Sequence, residues 1–361
     1  MIEVQEFRSE VRDWLAENLV GEYAALKGLG GPGREHEAFE ERLAWNRHLA
    51  AAGLTCLGWP TEHGGRGLSV AHRVAFYEEY AKANAPDKVN HLGEELVGPT
   101  LIAYGTPEQQ QRFLPKILDV TELWSQGYSE PGAGSDLANV ATTAVLDEEG
   151  GHWVINGQKV WTSLAHWAQW CFVVARSEKG SKRHAGLSYL LVPLDQPGVE
   201  IRPIIQLTGD SEFNEVFFTD ARTDADLVVG EPGDGWRVAM GTLTFERGVS
   251  TLGQQIRYAR EHSNLVEVAR KTGAADDPLI RERLFDAIPA VALTSATLTV
   301  DRRFDFLCGR VGLAGGTLAH ERMVTARLPS PFDFRSQGLL CLPSGAPPEP
   351  RDPRHGVAVE D

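Results

Sequence analysis

The hydrophobic period of this chain changes twice, and any fold must accommodate both changes. Through the first 120 residues apolar side chains recur three and four apart. Phe7, Val11, Trp14 and Leu15 open the pattern, and residues 36–52 and 69–83 repeat it. Thr106-Pro107-Glu108 provides an N-cap and first turn for a helix over 109–118. Gly- and Pro-rich breaks at 28–33 and 60–67 separate these helices. From residue 121 the period shortens. Residues 141–146, 152–160, 170–176, 187–193, 199–205 and 213–218 are short β-branched or aromatic runs divided by turn residues. Helical spacing then returns from Trp236 to Arg270, closed by Thr272-Gly273, and Asp277-Pro278 starts a further helix over 279–287.

Helices, then β, then helices predicts an α+β chain with an N-terminal helical domain (1–120) and a central β-barrel or sandwich (121–228). A C-terminal helical bundle (229–340) and a disordered tail (341–361) follow. A chain of 361 residues exceeds one ordinary core. The net charge of −15 argues against nucleic acid or an anionic membrane as partner, and no apolar run is long enough for membrane insertion. The opening Met1-Ile2-Glu3-Val4-Gln5-Glu6 is too acidic for a signal peptide. Four isolated cysteines and scattered histidines fit a cytoplasmic protein without a metal site.

The segment 127–139 carries the most chemistry. Gly127, Gly132 and Gly134 free the backbone for close approach to a ligand, and Ser129 and Ser135 set hydroxyls beside exposed amides. Trp161-Thr162-Ser163 adds an aromatic face and two more hydroxyls. Together they suit a flat, polar, phosphate-bearing cofactor, although a Gly-rich surface loop beside a core Trp reads the same way residue by residue. Residues 28–33 match GxGxxG, but no strand precedes them, so they are read as a loop. Glu246 shares a helical face with Ala239, Leu243 and Ser250, which suits either a buried proton-transfer group or an ion pair.

Tyr128-Ser129-Glu130-Pro131-Gly132-Ala133-Gly134-Ser135-Asp136 resembles the first signature of the acyl-CoA dehydrogenase family, in the type common among actinobacterial fatty-acid and steroid side-chain enzymes. Asn156-Gly157-Gln158-Lys159-Val160-Trp161-Thr162-Ser163 resembles its second, flavin-contacting segment. Residues 207–218, 233–236 and Phe245-Glu246-Arg247-Gly248 continue the likeness in order, over roughly 1–287. The resemblance implies FAD, an acyl-CoA substrate, electron-transfer flavoprotein as electron acceptor, and a homo- or hetero-oligomer. By the same resemblance Tyr128 and Ser129 meet the flavin pyrimidine edge, Gly134 and Ser135 lie near the pyrophosphate and acyl-CoA, and Trp161, Thr162 and Ser163 line the isoalloxazine. Glu246 becomes the catalytic base, and Arg247 helps hold the CoA or the helix packing. Glu130 and Asp136 are read as holding the loop through backbone N–H bonds, and Lys159 as structural. Leu164 stands where the family commonly has Asn.

The family's closing loop, Tyr-Gly-Gly-Thr-x-x-Ile-Gln-Arg-Asn, has no counterpart after Ala287; Gly315-Gly316-Thr317 is a poor echo. Divergence and a reading-frame change near codon 287 both produce such a break. A non-catalytic subunit of a heteromeric dehydrogenase is therefore the alternative reading, with an acyl-CoA oxidase a weaker third.

Overall fold

The computed structural model describes residues 2–207, 209–285, 324–329 and 337–342. The chain divides into two compact units, Met1–Arg260 and Glu261–Asp361.

In the first unit, α1 (Val4–Asn18), α2 (Phe39–Ala51) and α3 (Val70–Lys82) pack their apolar stripes together. Phe7, Val11 and Leu15 meet Trp45, Leu49, Phe76 and Tyr80 in one core. Burying an aromatic of this kind stabilises the unit by roughly 1.5–3 kcal/mol, provided its polar atoms find partners. They do: Trp45 Nε1 donates to Tyr80 Oη (2.8 Å), which donates to the Pro86 carbonyl (2.7 Å). The GxGxxG stretch is a loop, as expected, and is preceded by the 3-10 turn Gly21–Leu26. It wraps the fully buried Arg42; a Cβ on Gly30, whose φ is +83°, would lie 2.4 Å from the Arg42 guanidinium.

A π-turn (Gly93–Val97) leads into α4 (Gly98–Tyr104) and α5 (Pro107–Leu118). Thr106 caps α5 in a capping box with Gln109. The Gln109 amide also donates to the carbonyls of Asp226 (2.6 Å) and Val228 (2.8 Å), fastening α5 to the sheet.

The sheet has eight strands: β1 (Trp124–Gly127), β2 (Thr143–Asp147), β3 (His152–Ser163), β4 (Trp170–Arg176), β5 (Leu187–Pro193), β6 (Val199–Pro203), β7 (Phe213–Asp224) and β8 (Val228–Val229). Their order is β6-β7-β3-β2-β4-β5-β8, with β1 parallel to β4. β4 is the hinge of the packing because both of its faces are buried. Trp170, Phe172 and Val174 join Phe113, Ile117 and Val238 in the core shared with the helices. Cys171, Val173 and Ala175 join Leu190, Val216 and Phe218 in the second core. The sheet curls, and Thr223 Oγ1 on β7 donates to the Leu191 carbonyl on β5 (2.5 Å). Among the described residues it is an open curled sheet, with β6 and β8 at the two ends of the order. β1 and β8 escape sequence reading because four- and two-residue strands are too short to show alternation.

α6 runs Gly235–Thr272 and ends at Gly273 (φ +77°), as its sequence predicts. In the second unit α7 spans Pro278–Phe285. β9 (Val324–Pro329) and β10 (Gln337–Leu342) form an antiparallel pair with Leu342 opposite Val324. These two described strands depart from the helical expectation for 229–340. The pattern break at 287, Gly315–Thr317 and residues 343–361 of the tail lie outside the described residues, whereas Cys341 and Leu342, expected to open that tail, belong to β10. Among the described residues no helix is long and apolar enough to cross a membrane.

Candidate functional site

β1 delivers the chain to Tyr128 beside the end of β3, and the two sequence motifs meet there. The Val160 amide donates to the Ser129 carbonyl (2.9 Å), one residue before Trp161. Lys159 fixes the rest. Its side chain is fully buried and donates to the Tyr128 carbonyl (3.0 Å), Glu130 Oε1 (2.8 Å) and the Val174 carbonyl (2.7 Å). All three ammonium protons are therefore satisfied. Glu130 in turn accepts from the amides of Ala141 (2.6 Å) and Thr142 (2.9 Å). Burial pushes the Glu130 carboxyl up, but the Lys159 charge and these hydrogen bonds outweigh it and hold it below its usual value. Glu130 thus works as a loop clamp, with its own amide and carbonyl exchanging bonds with Ala133 at 3.0 Å. Asp136 makes no side-chain cap to the short turn Leu137–Asn139.

Between Lys159 and Thr162 the pairing of β3 with β7 slips by one residue, a β-bulge. The bulge puts Trp161 at φ +60° and leaves the residue 55% exposed, its ring edge-on to Phe213 at 5.9 Å. A bulky residue in the left-handed region costs about 1–3 kcal/mol and is held there only by its surroundings. Here the hold is visible: Asn214 Nδ2 donates to the Thr162 carbonyl (3.1 Å), and the Leu164 amide donates to Glu212 (2.9 Å). Thr162 is fully buried, and its Oγ1 has no protein partner among the described residues.

Ser129 and Ser163 are half-buried, and Gly134 and Ser135 are exposed. A Cβ on Gly132 or Gly134 would meet nothing within 4 Å, so this lip is open to a ligand. Tyr128 departs from the simple picture. Its ring is buried in the core, edge-on to Phe172 (5.8 Å) and Tyr189 (6.2 Å), so its backbone is what faces the motif. Glu246 and Arg247 lie on α6, and their side chains are outside the described residues. Position 246 follows the buried Val238 and Thr242 at four-residue spacing, and Thr242 Oγ1 hydrogen-bonds Thr100 (2.8 Å).

Sequence reasoning missed a cavity of about 410 Å³ in the first unit. Trp59, Arg73, Tyr77, Lys88, Glu94 and Glu95 supply its polar lining, and Thr244 and Phe245 on α6 reach it immediately before Glu246. The only sequence trace of it is the pair Glu94-Glu95, set between Leu92 and Leu96.

Family models for the acyl-CoA dehydrogenase N-terminal, middle and C-terminal domains match residues 2–121, 125–221 and 233–306 in succession. The chain belongs to the acyl-CoA dehydrogenase family. Acyl-CoA dehydrogenase IpdE1 of Mycolicibacterium smegmatis is 87% identical over 292 residues, which is 79% of this chain and 74% of that one. Its namesake in Mycobacterium tuberculosis is 83% identical over 284 residues, covering 79% and 73%. Among solved structures, the Tcur3481-Tcur3483 steroid ACAD superposes with a TM-score of 0.64 at 31% identity, covering 78% of this acyl-CoA dehydrogenase and 70% of that chain. The ChsE4-ChsE5 complex from Mycobacterium tuberculosis gives 0.58 at 35% identity, covering 68% and 60%.

Proposed function

We propose that this acyl-CoA dehydrogenase removes two hydrogens from the α and β carbons of an acyl-CoA thioester, leaving the trans-2-enoyl-CoA. FAD, when bound, supplies the acceptor for the hydride leaving the β carbon, and an electron-transfer flavoprotein takes the electrons onward. The observation that carries the reading is the Trp161 bulge: an exposed Trp at positive φ, next to the backbone bond from Val160 to the Ser129 carbonyl and two residues before Ser163. Strain of this kind persists where a site uses it.

The residues present fit a flavin. Trp161, Thr162 and Ser163 would hold the isoalloxazine, Tyr128 and Ser129 its pyrimidine edge through backbone and hydroxyl, and the open Gly134–Ser135 lip the pyrophosphate and the CoA. Ser135 and Arg247 would contact the substrate. Glu246 takes the α proton; a carboxylate serves as this base when its surroundings raise its pKa toward the working pH. The cavity ending at Thr244 and Phe245 would take the acyl tail beside that base.

A heteromeric assembly is favoured over a homomer. Two of the similar solved structures carry paired names, one of them titled a complex. Near the site, Ile205 and Leu207 are exposed at 67% and 109%, a surface suited to a partner subunit. The test is direct. Protein purified with its flavin absorbance supports catalysis, and protein that is colourless after purification and after FAD addition would leave only the non-catalytic subunit reading.

A further inference from the structure

The cavity beside α6 has a polar lining whose members are almost all paired with one another. Glu94 accepts from the Cys56 amide (2.9 Å) on one oxygen and from Lys88 Nζ (2.8 Å) on the other. The Tyr77 hydroxyl donates to Glu95 (2.5 Å). Burial works against the Lys88 charge, but Glu94 and Glu95 outweigh it and hold the ammonium above its usual value. The two carboxylates sit in the π-turn Gly93–Val97, a backbone irregularity often found at functional sites.

Arg73 is the exception. It reaches the same cavity from α3, lying against Gly58, where a Cβ would press its guanidinium at 3.2 Å. Its Nε is buried and has no protein group within hydrogen-bonding reach, and it pairs with no carboxylate among the described residues. A guanidinium carries five donors in a fixed fork, and leaving a buried one unmet is unfavourable. The cavity is already charge-balanced, with Arg73 and Lys88 against Glu94 and Glu95. An added carboxylate would leave the cavity with one uncompensated negative charge, whereas an uncharged acceptor would satisfy the open donor without changing that balance.

We infer that Arg73 is a specificity-determining residue that donates to an uncharged carbonyl oxygen on the distal part of the acyl group, so the preferred substrates are keto-bearing acyl-CoAs. This rests on the dehydrogenase reading above, because the cavity is taken as the acyl-tail site.

The test measures binding, by titration calorimetry on the intact protein as it assembles. The probes are octanoyl-CoA, 7-oxo-octanoyl-CoA and suberoyl-CoA, against the wild type, Arg73→Met and Arg73→Lys. Wild type should bind the oxo probe roughly tenfold to a hundredfold tighter than octanoyl-CoA, the worth of one charge-assisted hydrogen bond. Arg73→Met should erase that ratio whatever it does to octanoyl-CoA affinity itself, and Arg73→Lys should keep part of it. Arg73→Met should also be at least as stable as wild type without ligand, because it removes an unpartnered polar group. An unchanged ratio in Arg73→Met, or a destabilised variant with equal losses on all probes, overturns the inference. Tighter binding of suberoyl-CoA than of the oxo probe overturns the choice of an uncharged acceptor. If the wild type binds none of the three, the acyl-CoA reading itself fails and this inference with it.

Discussion

Lys159 and Trp161 sit two residues apart and solve opposite problems. Lys159 is a buried charge made tolerable by three acceptors. Replacing it with Met strands Glu130 in the interior, and breaking a buried pair in this way costs about 3–5 kcal/mol. Lys159→Met is therefore expected to show a much lower denaturation midpoint in urea and to lose the 128–130 alignment. Glu130 also sets an acid limit. Its folded pKa lies below the ordinary 4.5, so its contribution is fully present above 4.5 and is lost as pH falls through the lower folded value. Glu130→Gln should flatten the acid limb of a stability-versus-pH curve below 4.5 relative to wild type. Trp161 works the other way, since its conformation costs stability for the sake of exposure. Trp161→Gly should match or exceed wild-type stability, by up to about 1 kcal/mol, yet retain less FAD on desalting. A large loss of stability instead would mean that the indole is a packing residue.

At the scale of elements, regular periods were legible and irregular ones were not. α5, α6, β4 and β5 follow the sequence reading to within two residues at each end, because caps, terminal glycines and β-branched runs mark their limits. The loop character of 28–33 was also legible from the absence of a preceding strand. What failed to show was anything set by tertiary contact. β3 and β7 run on to Ser163 and Asp224 because they pair with each other through two bulges, and pairing leaves no periodic mark. The π-turn and the cavity polar set arise where α3, α4 and α6 converge, so only the Glu94-Glu95 pair hints at them. Convergence can be tested at Gly98. A Cβ there would stand 2.0 Å from the Trp59 ring, itself held by an indole bond to the Glu94 carbonyl (3.0 Å). Gly98→Ala should lose about 1–3 kcal/mol from overpacking and weaken acyl-CoA binding, while leaving the flavin spectrum of any bound FAD unchanged.

For the whole molecule, the ordered matches to three domain models make the ancestry firm, and the signature loop, bulge and buried clamp are all present in the first unit. A single carboxylate then bears the weight of the catalytic reading. Position 246 follows Val238 and Thr242 at four-residue spacing on α6 and comes directly after Thr244 and Phe245 of the cavity lining. Assembly should follow from the exposed Ile205 and Leu207, and light scattering on the purified protein should return a mass above the 39.6 kDa of one chain. The most direct measurement follows the flavin absorbance of wild type and Glu246→Gln as acyl-CoA is added. Wild type should bleach on mixing, and Glu246→Gln should carry the same flavin yet hold its colour. A Glu246→Gln protein that bleaches at the wild-type rate, or one that has lost its flavin altogether, would contradict the account.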